Sequence, residues 1–326
     1  MQAISRAHAN IALIKYWGKA DEHLHIPFNS NLSFTQSALY TETKIDFNED
    51  YKQDQFYLNN EKQSSEETKK ISDFVDIYRQ GHTDYKFKVE SFNSMPTAAG
   101  FGSSSSAFAA LATAVDKALD LNLSKKELSA YARKGSGSAS RSIFGGFSLW
   151  HAGDSDESSY AEAIDPGDWD ISTITLFTSA AKKPLSSRKG MQLSVETSPY
   201  YKLWPELAEQ QLKDIIVAIK QKDIAKIGSI SESNALAMHS LTITSEPAVF
   251  YFNSQTLKHV AFVYDLRKQG FPVYFTLDAG PNLVLICPKT QAQDIAKRFK
   301  TEFPDINTII STAGPAAQIV EKFSHA

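Results

Sequence analysis

The sequence is short of the features that mark specialised classes of protein. It has one cysteine in 326 residues, and no apolar run approaches the roughly 20 residues that span a bilayer. A single cysteine cannot form an internal disulfide, and Cys287 lies in an apolar run that predicts burial. The N-terminus has no hydrophobic signal segment. We therefore expect a protein of the reducing cytoplasm that makes no contact with membranes.

Neither positive nor negative residues are in strong excess. The 34 Lys and Arg residues nearly match the 37 Asp and Glu residues, and the net charge is −3 at pH 7. Such a balance gives no electrostatic footprint for nucleic acid or for an anionic surface. No group of Cys and His residues has the spacing of a metal site. The length fits one large or two medium domains, and we expect the partners to be small molecules.

The predicted strands and helices follow each other in the order of an α+β fold with two parts. The first part, residues 1–183, is rich in strands, and the second part, residues 184–326, is rich in helices. The predicted strands are residues 7–16, 32–34, 41–47, 85–92, 147–150, 171–178, 273–277, 284–286 and 308–311. The predicted helices are residues 66–79, 107–120, 125–134, 187–194, 208–220, 223–238, 254–269 and 291–299. Ser124 is placed to cap the helix at 125–134.

A glycine- and serine-rich stretch, residues 95–106, connects a predicted strand to a predicted helix. The N-terminus of a helix carries unpaired N–H groups and the positive end of the helix dipole, and it binds phosphate. Gly100 and Gly102 let the backbone approach an anion, and four serines, residues 103–106, add hydroxyl donors. This is not a Walker A loop, because no Lys followed by Ser or Thr comes after the glycines. Taken alone, an ordinary turn with a serine cap explains the stretch as well.

Three further segments place cations beside hydroxyl groups or glycine. Lys15 and Lys19 lie at the end of the first predicted strand, where an unpaired buried lysine costs several kcal/mol. This cost favours an anion clamp over a surface position, for Lys15 more than for Lys19. A second loop of small residues ends in Arg141, which can hold a phosphate or carboxylate with two hydrogen bonds. Residues 185–191 repeat the pattern, although a capped helix alone explains them better.

One isolated acid, Asp278, ends a predicted apolar strand. An acid in this position is often only a turn former. In a site rich in cations it could instead serve as a base or as an orienting group. The histidines are scattered, and we interpret them as surface or hydrogen-bonded groups. The serine stretch, the loop that ends in Arg141 and residues 185–191 make three anion-binding segments. Together with several cations and one acid they indicate a site that holds two polyanions, one of them a nucleotide.

These segments together resemble a known family. The loop at 96–106 is similar to the phosphate loop of the superfamily of galactokinase, homoserine kinase, mevalonate kinase and phosphomevalonate kinase. Within that superfamily the chain resembles the diphosphomevalonate decarboxylase family. The segments that carry this resemblance, in family order and over nearly the whole chain, are residues 10–19, 96–100, 135–142, 187–191 and 278–282.

The resemblance implies a reaction of the mevalonate pathway of isoprenoid biosynthesis. ATP and mevalonate 5-diphosphate give isopentenyl diphosphate, ADP, phosphate and carbon dioxide, with Mg²⁺ as cofactor and no protein residue named as its ligand. The implied fold is an N-terminal domain like domain 2 of ribosomal protein S5 and a C-terminal ferredoxin-like domain, often in a homodimer. A mevalonate 3-kinase, a decarboxylase of phosphomevalonate and a non-catalytic sensor of nucleotide and ligand stay open as alternatives.

The resemblance also implies roles for individual residues. The catalytic residues are Asp278, which acts on the C3 hydroxyl, Lys15, which lies near that hydroxyl, and Arg141. The residues around the substrate diphosphate are Tyr16, Lys19, Ser136, Gly137, Ser138, Arg141, Arg188 and Met191. The residues around the ATP phosphates are Gly100, Gly102, Ser103, Ser104 and Ser105, with Ser187 near the γ-phosphate. His25 and Phe28 depart from the family pattern, which has small or amide residues there.

Overall fold

The computed structural model describes residues 1–79, 81–94, 103–177 and 185–324, with Ser103 described by its backbone alone. Gly100, Gly102 and the predicted boundary at residue 183 therefore lie outside the described residues. The strands are β1 (Gln2–Ile14), β2 (Lys19–Asp21), β3 (Ile26–Pro27), β4 (Asn31–Asn48), β5 (Gln55–Leu58), β6 (Glu61–Lys62), β7 (Lys86–Asn93), β8 (Phe147–Trp150), β9 (Ala161–Asp165), β10 (Ser172–Phe177), β11 (Tyr274–Leu277), β12 (Leu283–Cys287), β13 (Asn307–Ser311) and β14 (Gln318–Ile319). The helices are α1 (Ser65–Arg79), α2 (Ser103–Ala118), α3 (Lys125–Gly135), α4 (Ala139–Ser142), α5 (Ser187–Thr197), α6 (Trp204–Lys220), α7 (Ile224–Ile243), α8 (Ser254–Lys268) and α9 (Ala292–Glu302).

The first part is built on a large sheet with β1 and β4 at its centre. Its strand order is β14-β1-β4-β7-β5-β6, and β8 joins β4 to β9. The pairs are antiparallel except for β5 with β7. Buried and partly exposed residues alternate along β7, as expected for a strand with one face on the core. Because α2 packs across β1 and β4, the start of α2 comes to the same region as the end of β1.

The structure corrects one strand prediction. Residues 32–34 and 41–47 were predicted as two strands, but they belong to the single strand β4. β1 pairs with both halves of it, and a register shift between His8 and Asn10 of β1 takes up the intervening residues. A β-bulge of this kind lets a strand continue where the alternation of apolar residues fails. The break in the sequence pattern therefore marks a bulge instead of a turn.

The second part contains a four-stranded antiparallel sheet in the order β11-β12-β10-β13. Helices separate β10 from β11 and β12 from β13, which is the ferredoxin-like arrangement and confirms the predicted α+β fold in two parts. β10 precedes residue 183, yet it pairs with β12 and β13. Strand pairing thus favours a junction before Ser172, earlier than the predicted one.

The longer elements agree with the sequence pattern better than the short ones. α1, α3, α5 and α8 begin within one residue of their predicted starts, whereas α2 begins at Ser103, inside the serine run. The unpredicted strands, of two to five residues, are β2, β3, β5, β6, β9 and β14. Such strands are too short for a periodic pattern to reveal. Among the described helices, none combines the length and apolar character needed to cross a membrane.

One apolar core connects the end of β1 to the second part. Ile11 and Trp17 belong to the same buried cluster as Trp204 of α6 and Met238 of α7. Burying a large apolar side chain stabilises the fold by about 1.5–3 kcal/mol. The Nε1 of Trp17 also donates a hydrogen bond to Ser194 Oγ of α5, at 3.0 Å. The segment that follows β1 is therefore held against three helices of the second part.

The start of α3 depends on Ser124, as predicted. Its Oγ accepts the N–H of Glu127 at 3.3 Å, and Glu127 Oε2 accepts the N–H of Ser124 at 2.9 Å, a reciprocal capping box. We expect Ser124→Ala to lower the free energy of unfolding by about 0.5–2 kcal/mol in urea denaturation. Ser229→Ala, on the exposed face of α7, should leave it unchanged or slightly raised. Equal urea midpoints for wild type and Ser124→Ala would contradict this assignment of the cap.

Candidate active site

A cavity of about 390 Å³ opens at the end of β1, between the two parts of the chain. The predicted site residues that line it are Lys15, Tyr16, Lys19, Ser104, Ser136, Gly137, Ser138, Arg141, Ser187, Arg188, Met191 and Asp278. A larger cavity, of about 620 Å³, lies between α8 and the end of α9, and no predicted site residue lines it. The fold thus brings together residues from both ends of the chain in the smaller cavity.

The serine run is only partly at this cavity. Ser104 is exposed at the start of α2, and its Oγ accepts a hydrogen bond from Ser136 Oγ at 3.3 Å. Ser105 is fully buried and is not among the cavity-lining residues. Gly100 and Gly102 lie outside the described residues, and for Ser103 only the position at the helix start is described. The hydroxyl of Ser104 therefore joins the start of α2 to the second small-residue loop.

Lys15 and Asp278 form an ion pair at the floor of the cavity. Lys15 Nζ lies 2.6 Å from Asp278 Oδ1 and donates a second hydrogen bond to the Ala12 carbonyl at 2.7 Å. The lysine side chain is 2% exposed and the aspartate side chain 45% exposed. Burial lowers the pKa of Lys15 below its ordinary value, and the carboxylate of Asp278 opposes that shift. The carboxylate of Asp278 can therefore contact a ligand in the cavity, while the buried ammonium of Lys15 holds the carboxylate in place.

The backbone on both sides holds this pair in position. Asn234 Oδ1 on α7 accepts the N–H of Lys15 at 2.7 Å. Asp278 follows directly on β11, and its carbonyl accepts the N–H of Gly280 at 2.7 Å. His239, which is 1% exposed, lies near the pair, and burial lowers its pKa to about 4. A neutral imidazole there adds no second cation beside Lys15.

Arg141 is a buried cation whose described hydrogen-bond partners are neutral. It is 2% exposed, and its guanidinium donates to the side-chain oxygens of Asn31 and, at 3.3 Å, Asn10. Within the described part of the chain it forms no ion pair, and its Nε has no partner. Burial lowers the pKa of Arg141 to about 10, so it stays charged at neutral pH. Two amides orient the guanidinium without neutralising it, which leaves its charge available to an anion.

The loop between α3 and α4 can pack against the rings of Tyr16 and Trp150 only because it contains Gly137. A Cβ on Gly137 would lie 2.8 Å from the ring of Trp150 and 2.9 Å from the ring of Tyr16. These two rings contact each other edge to face, with centroids 4.9 Å apart. Burial raises the pKa of Tyr16, so its hydroxyl remains a neutral donor. The loop thus packs its backbone tightly on aromatic rings and turns its serines toward the cavity.

Two more cations line the cavity. Lys19 Nζ pairs with Glu22 Oε2 at 2.7 Å, and Arg188 is exposed in the first turn of α5. Ser186 caps α5 by accepting the N–H of Lys189 at 3.3 Å, as a helix start requires. In the described residues there is no group of three His, Cys, Asp or Glu side chains that could hold a metal ion.

Sequence reasoning missed part of the lining. Phe108 and Met238 line the cavity from helices α2 and α7, and His25 lines it from the turn between β2 and β3. Asn31, which orients Arg141, was not selected either, although a polar residue at the start of an apolar strand was a usable signal. No local signal marked Met238, because only the packing of α7 against β1 brings it to the site.

The site combines four cations, one acid and a set of hydroxyl donors. Such a set can bind polyanions and can orient a hydroxyl group beside a carboxylate. The chain also matches two family models that follow each other along the sequence. Residues 7–161 match the diphosphomevalonate decarboxylase-like N-terminal domain, and residues 173–324 match the mevalonate 5-diphosphate decarboxylase C-terminal domain.

Individual relatives agree with these matches. The diphosphomevalonate decarboxylase of Debaryomyces hansenii is 34% identical over 301 residues, which covers 86% of this chain and 77% of the relative. The solved structure of mevalonate diphosphate decarboxylase from Enterococcus faecalis is 42% identical, with a TM-score of 0.93 over 99% of both chains. A solved complex of MDDEF with MVAPP, AMPPCP and magnesium is 43% identical, with a TM-score of 0.94 over 99% of both chains.

Arg141 provides the first test of anion binding in this cavity. Lysine keeps the charge but loses the planar fork that binds an anion with two hydrogen bonds, so we expect Arg141→Lys to weaken binding of inorganic diphosphate about tenfold or more in calorimetry. Arg267→Lys is the control, because Arg267 pairs with Glu232 at 2.6 Å and does not line the cavity. The control should keep wild-type affinity. Equal affinities for all three proteins would remove Arg141 from the anion site.

Proposed function

The chain belongs to the diphosphomevalonate decarboxylase family and catalyses ATP-dependent decarboxylation of mevalonate 5-diphosphate to isopentenyl diphosphate, and we propose that the cavity at the end of β1 is the site of this reaction. The observation that carries the proposal is the contact between Asp278 and buried Lys15, in a cavity lined by three further cations. The relative solved with MVAPP, a substrate, and AMPPCP, an ATP analogue, supports a site for two polyanions.

The substrate diphosphate binds, in this proposal, to the loop between α3 and α4 and to the cations around it. The residues assigned to it are Tyr16, Lys19, Ser136, Gly137, Ser138, Arg141, Arg188 and Met191. Arg141 supports this position most strongly, because it is a buried charge without a described carboxylate partner. Met191 adds an apolar contact, which suits the carbon chain of the substrate.

ATP approaches from the start of α2. Ser104 and Ser187 are the assigned residues that line the cavity, and each belongs to the first turn of a helix. The dipoles of both helix starts favour phosphate there. Gly100, Gly102, Ser103 and Ser105 remain assigned to the ATP phosphates by the family resemblance alone. Magnesium, present in the complex of a relative, would be held mainly by the phosphates beside Ser104, and it would offset part of their charge.

Asp278 and Lys15 act on the C3 hydroxyl of the substrate. The half-exposed carboxylate accepts the hydroxyl proton while the hydroxyl oxygen forms a bond to the γ-phosphorus and the bond to ADP breaks. The ammonium of Lys15, at 2.6 Å, holds the carboxylate in one orientation. A carboxylate that acts as a general base must be accessible to the hydroxyl, with the cation on its protein side. The 45% exposed side chain of Asp278 and the 2% exposed side chain of Lys15 have this arrangement.

Decarboxylation follows from the new leaving group. A tertiary alcohol leaves poorly, whereas its phosphate ester leaves well. As the C3–O bond breaks, positive charge builds at C3, and the electrons of the C1–C2 bond form the C2–C3 double bond while C1 departs as carbon dioxide. The chain contributes position and charge: it holds the two anionic substrates together and stabilises the phosphate that leaves.

The chain divides into an N-terminal part, residues 1–183, and a C-terminal part, residues 184–326, although the pairing of β10 favours a junction before Ser172. The enzyme works as a homodimer, as the family resemblance implies. It works in the cytoplasm, which agrees with its one cysteine: Cys287 is fully buried, and burial raises the pKa of its thiol to about 11.

A product assay tests the proposal against its alternatives. The purified protein is incubated with ATP, Mg²⁺ and either mevalonate, its 5-phosphate or its 5-diphosphate, and release of ADP, phosphate and carbon dioxide is measured. We expect equal release of all three products with the diphosphate and far less with the others. Release of ADP without carbon dioxide would indicate a mevalonate 3-kinase. Preference for the 5-phosphate would indicate a decarboxylase of phosphomevalonate, and no turnover with any substrate would indicate a non-catalytic sensor of nucleotide and ligand.

Asp278→Asn tests the assigned base. The change keeps the size of the side chain and removes its ability to take the proton, so turnover should fall by at least about 10²–10⁴-fold, and affinity for both substrates far less. Release of ADP and of carbon dioxide should fall together, because decarboxylation needs the phosphate ester. Asp165→Asn is the control, since Asp165 also ends a strand and accepts the N–H of Gly167 at 2.8 Å. Near wild-type turnover of Asp278→Asn would show that Asp278 is a turn former and not the base.

A further inference from the structure

His25 lies in the turn between β2 and β3 and lines the cavity. We propose that His25 holds a phosphate group of the bound substrate as an imidazolium, so that substrate binding draws a proton onto this residue. The inference rests on the proposed function, because that function brings a diphosphate into the cavity. It adds a phosphate-binding residue to the proposed site.

The hairpin of β2 and β3 sets the position of the imidazole. Lys19 pairs with Pro27 across the two strands, and His25 stands just before β3, with a φ of 54°. Histidine is among the few residues other than glycine that adopt this left-handed conformation readily. The turn thus presents the imidazole to the same cavity as Lys19 and Arg188.

One hydrogen bond determines which ring nitrogen carries a proton. His25 Nδ1 lies 3.0 Å from the carbonyl oxygen of Arg133 on α3. A carbonyl only accepts, so Nδ1 must be the donor in the neutral and in the charged ring. In the neutral ring Nε2 then carries a lone pair, which repels a phosphate oxygen. Contact between Nε2 and phosphate therefore requires that the ring take up a proton.

The surroundings keep the ring neutral before substrate binds. Burial lowers the pKa of His25 below its ordinary value, and the charges of Lys19 and Arg188 lower it further. Glu22 on the same hairpin and the carbonyl of Arg133 act in the opposite direction and are outweighed. A diphosphate placed among these groups brings several negative charges and reverses the balance, which raises the pKa.

The sign of the pH dependence follows from this change. Because the pKa is higher in the complex than in the free protein, binding takes up a proton at pH values between the two. The contribution of His25 to affinity is complete below the pKa of the free protein. It is lost as pH rises through the pKa of the complex. Loss of a charge-assisted hydrogen bond corresponds to about a tenfold loss of affinity.

Calorimetry with mevalonate 5-diphosphate measures the proton directly. Binding heats in two buffers of different ionisation enthalpy, near neutral pH, give the number of protons taken up per site for wild type and for His25→Asn. Asparagine tolerates the left-handed backbone and can donate to the Arg133 carbonyl, but it cannot be protonated. His23→Asn is the matched control, because His23 is exposed on the same turn and does not line the cavity.

We expect wild type and His23→Asn to take up more protons than His25→Asn, by up to about one per site. The affinity lost by His25→Asn should be about tenfold at low pH and should vanish as the pH is raised. Equal proton uptake in all three proteins, with substrate bound, would overturn the role of His25 and leave the proposed function intact. Failure of the wild type to bind would contradict the proposed function itself. Should His25→Asn not fold, as judged by circular dichroism, His25→Gln gives the same comparison.

Discussion

The ion pair of Lys15 and Asp278 is the contact on which the rest of the site depends. Its two residues are 263 positions apart in sequence, one at the end of β1 and the other at the end of β11. An unpaired buried lysine would cost several kcal/mol, so the two sheets must meet where the carboxylate can reach the ammonium. The core around Trp17 and the hydrogen bond that the Lys15 N–H donates to Asn234 Oδ1 hold the same arrangement.

A second constraint is the presence of local positive charge in a chain whose net charge is −3. Arg141 is oriented by the neutral amides of Asn10 and Asn31, and its charge is therefore not cancelled in the free protein. Donors and charges held in place before the ligand arrives need little rearrangement during the reaction, and this is the main source of electrostatic catalysis. The pair of Lys19 with Glu22 is the exception, because a bound anion competes with that carboxylate.

The two parts of the chain contribute different components of the proposed site. The sheet-based first part supplies three of the four cations and the loop containing Gly137, whose backbone lies on Tyr16 and Trp150. The second part supplies Asp278 and, at the start of α5, the fourth cation. Because the acid and most of the cations come from separate parts, the geometry of the proposed site is set by their docking. The apolar contacts of β1 with α6 and α7 therefore support the proposed site as well as the fold.

Local sequence determined the elements with a strong periodic pattern or cap, such as α1, α3 with its Ser124 capping box, and β8. It also determined which residue types could bind anions, because glycine, serine and arginine carry that chemistry wherever they lie. The tertiary structure alone decided that β4 is one strand, that β10 belongs to the second sheet, and that Met238 and His25 face the cavity. The physical reason is that strand pairing, burial and charge neutralisation are set by residues distant in sequence, whose meeting no local pattern records.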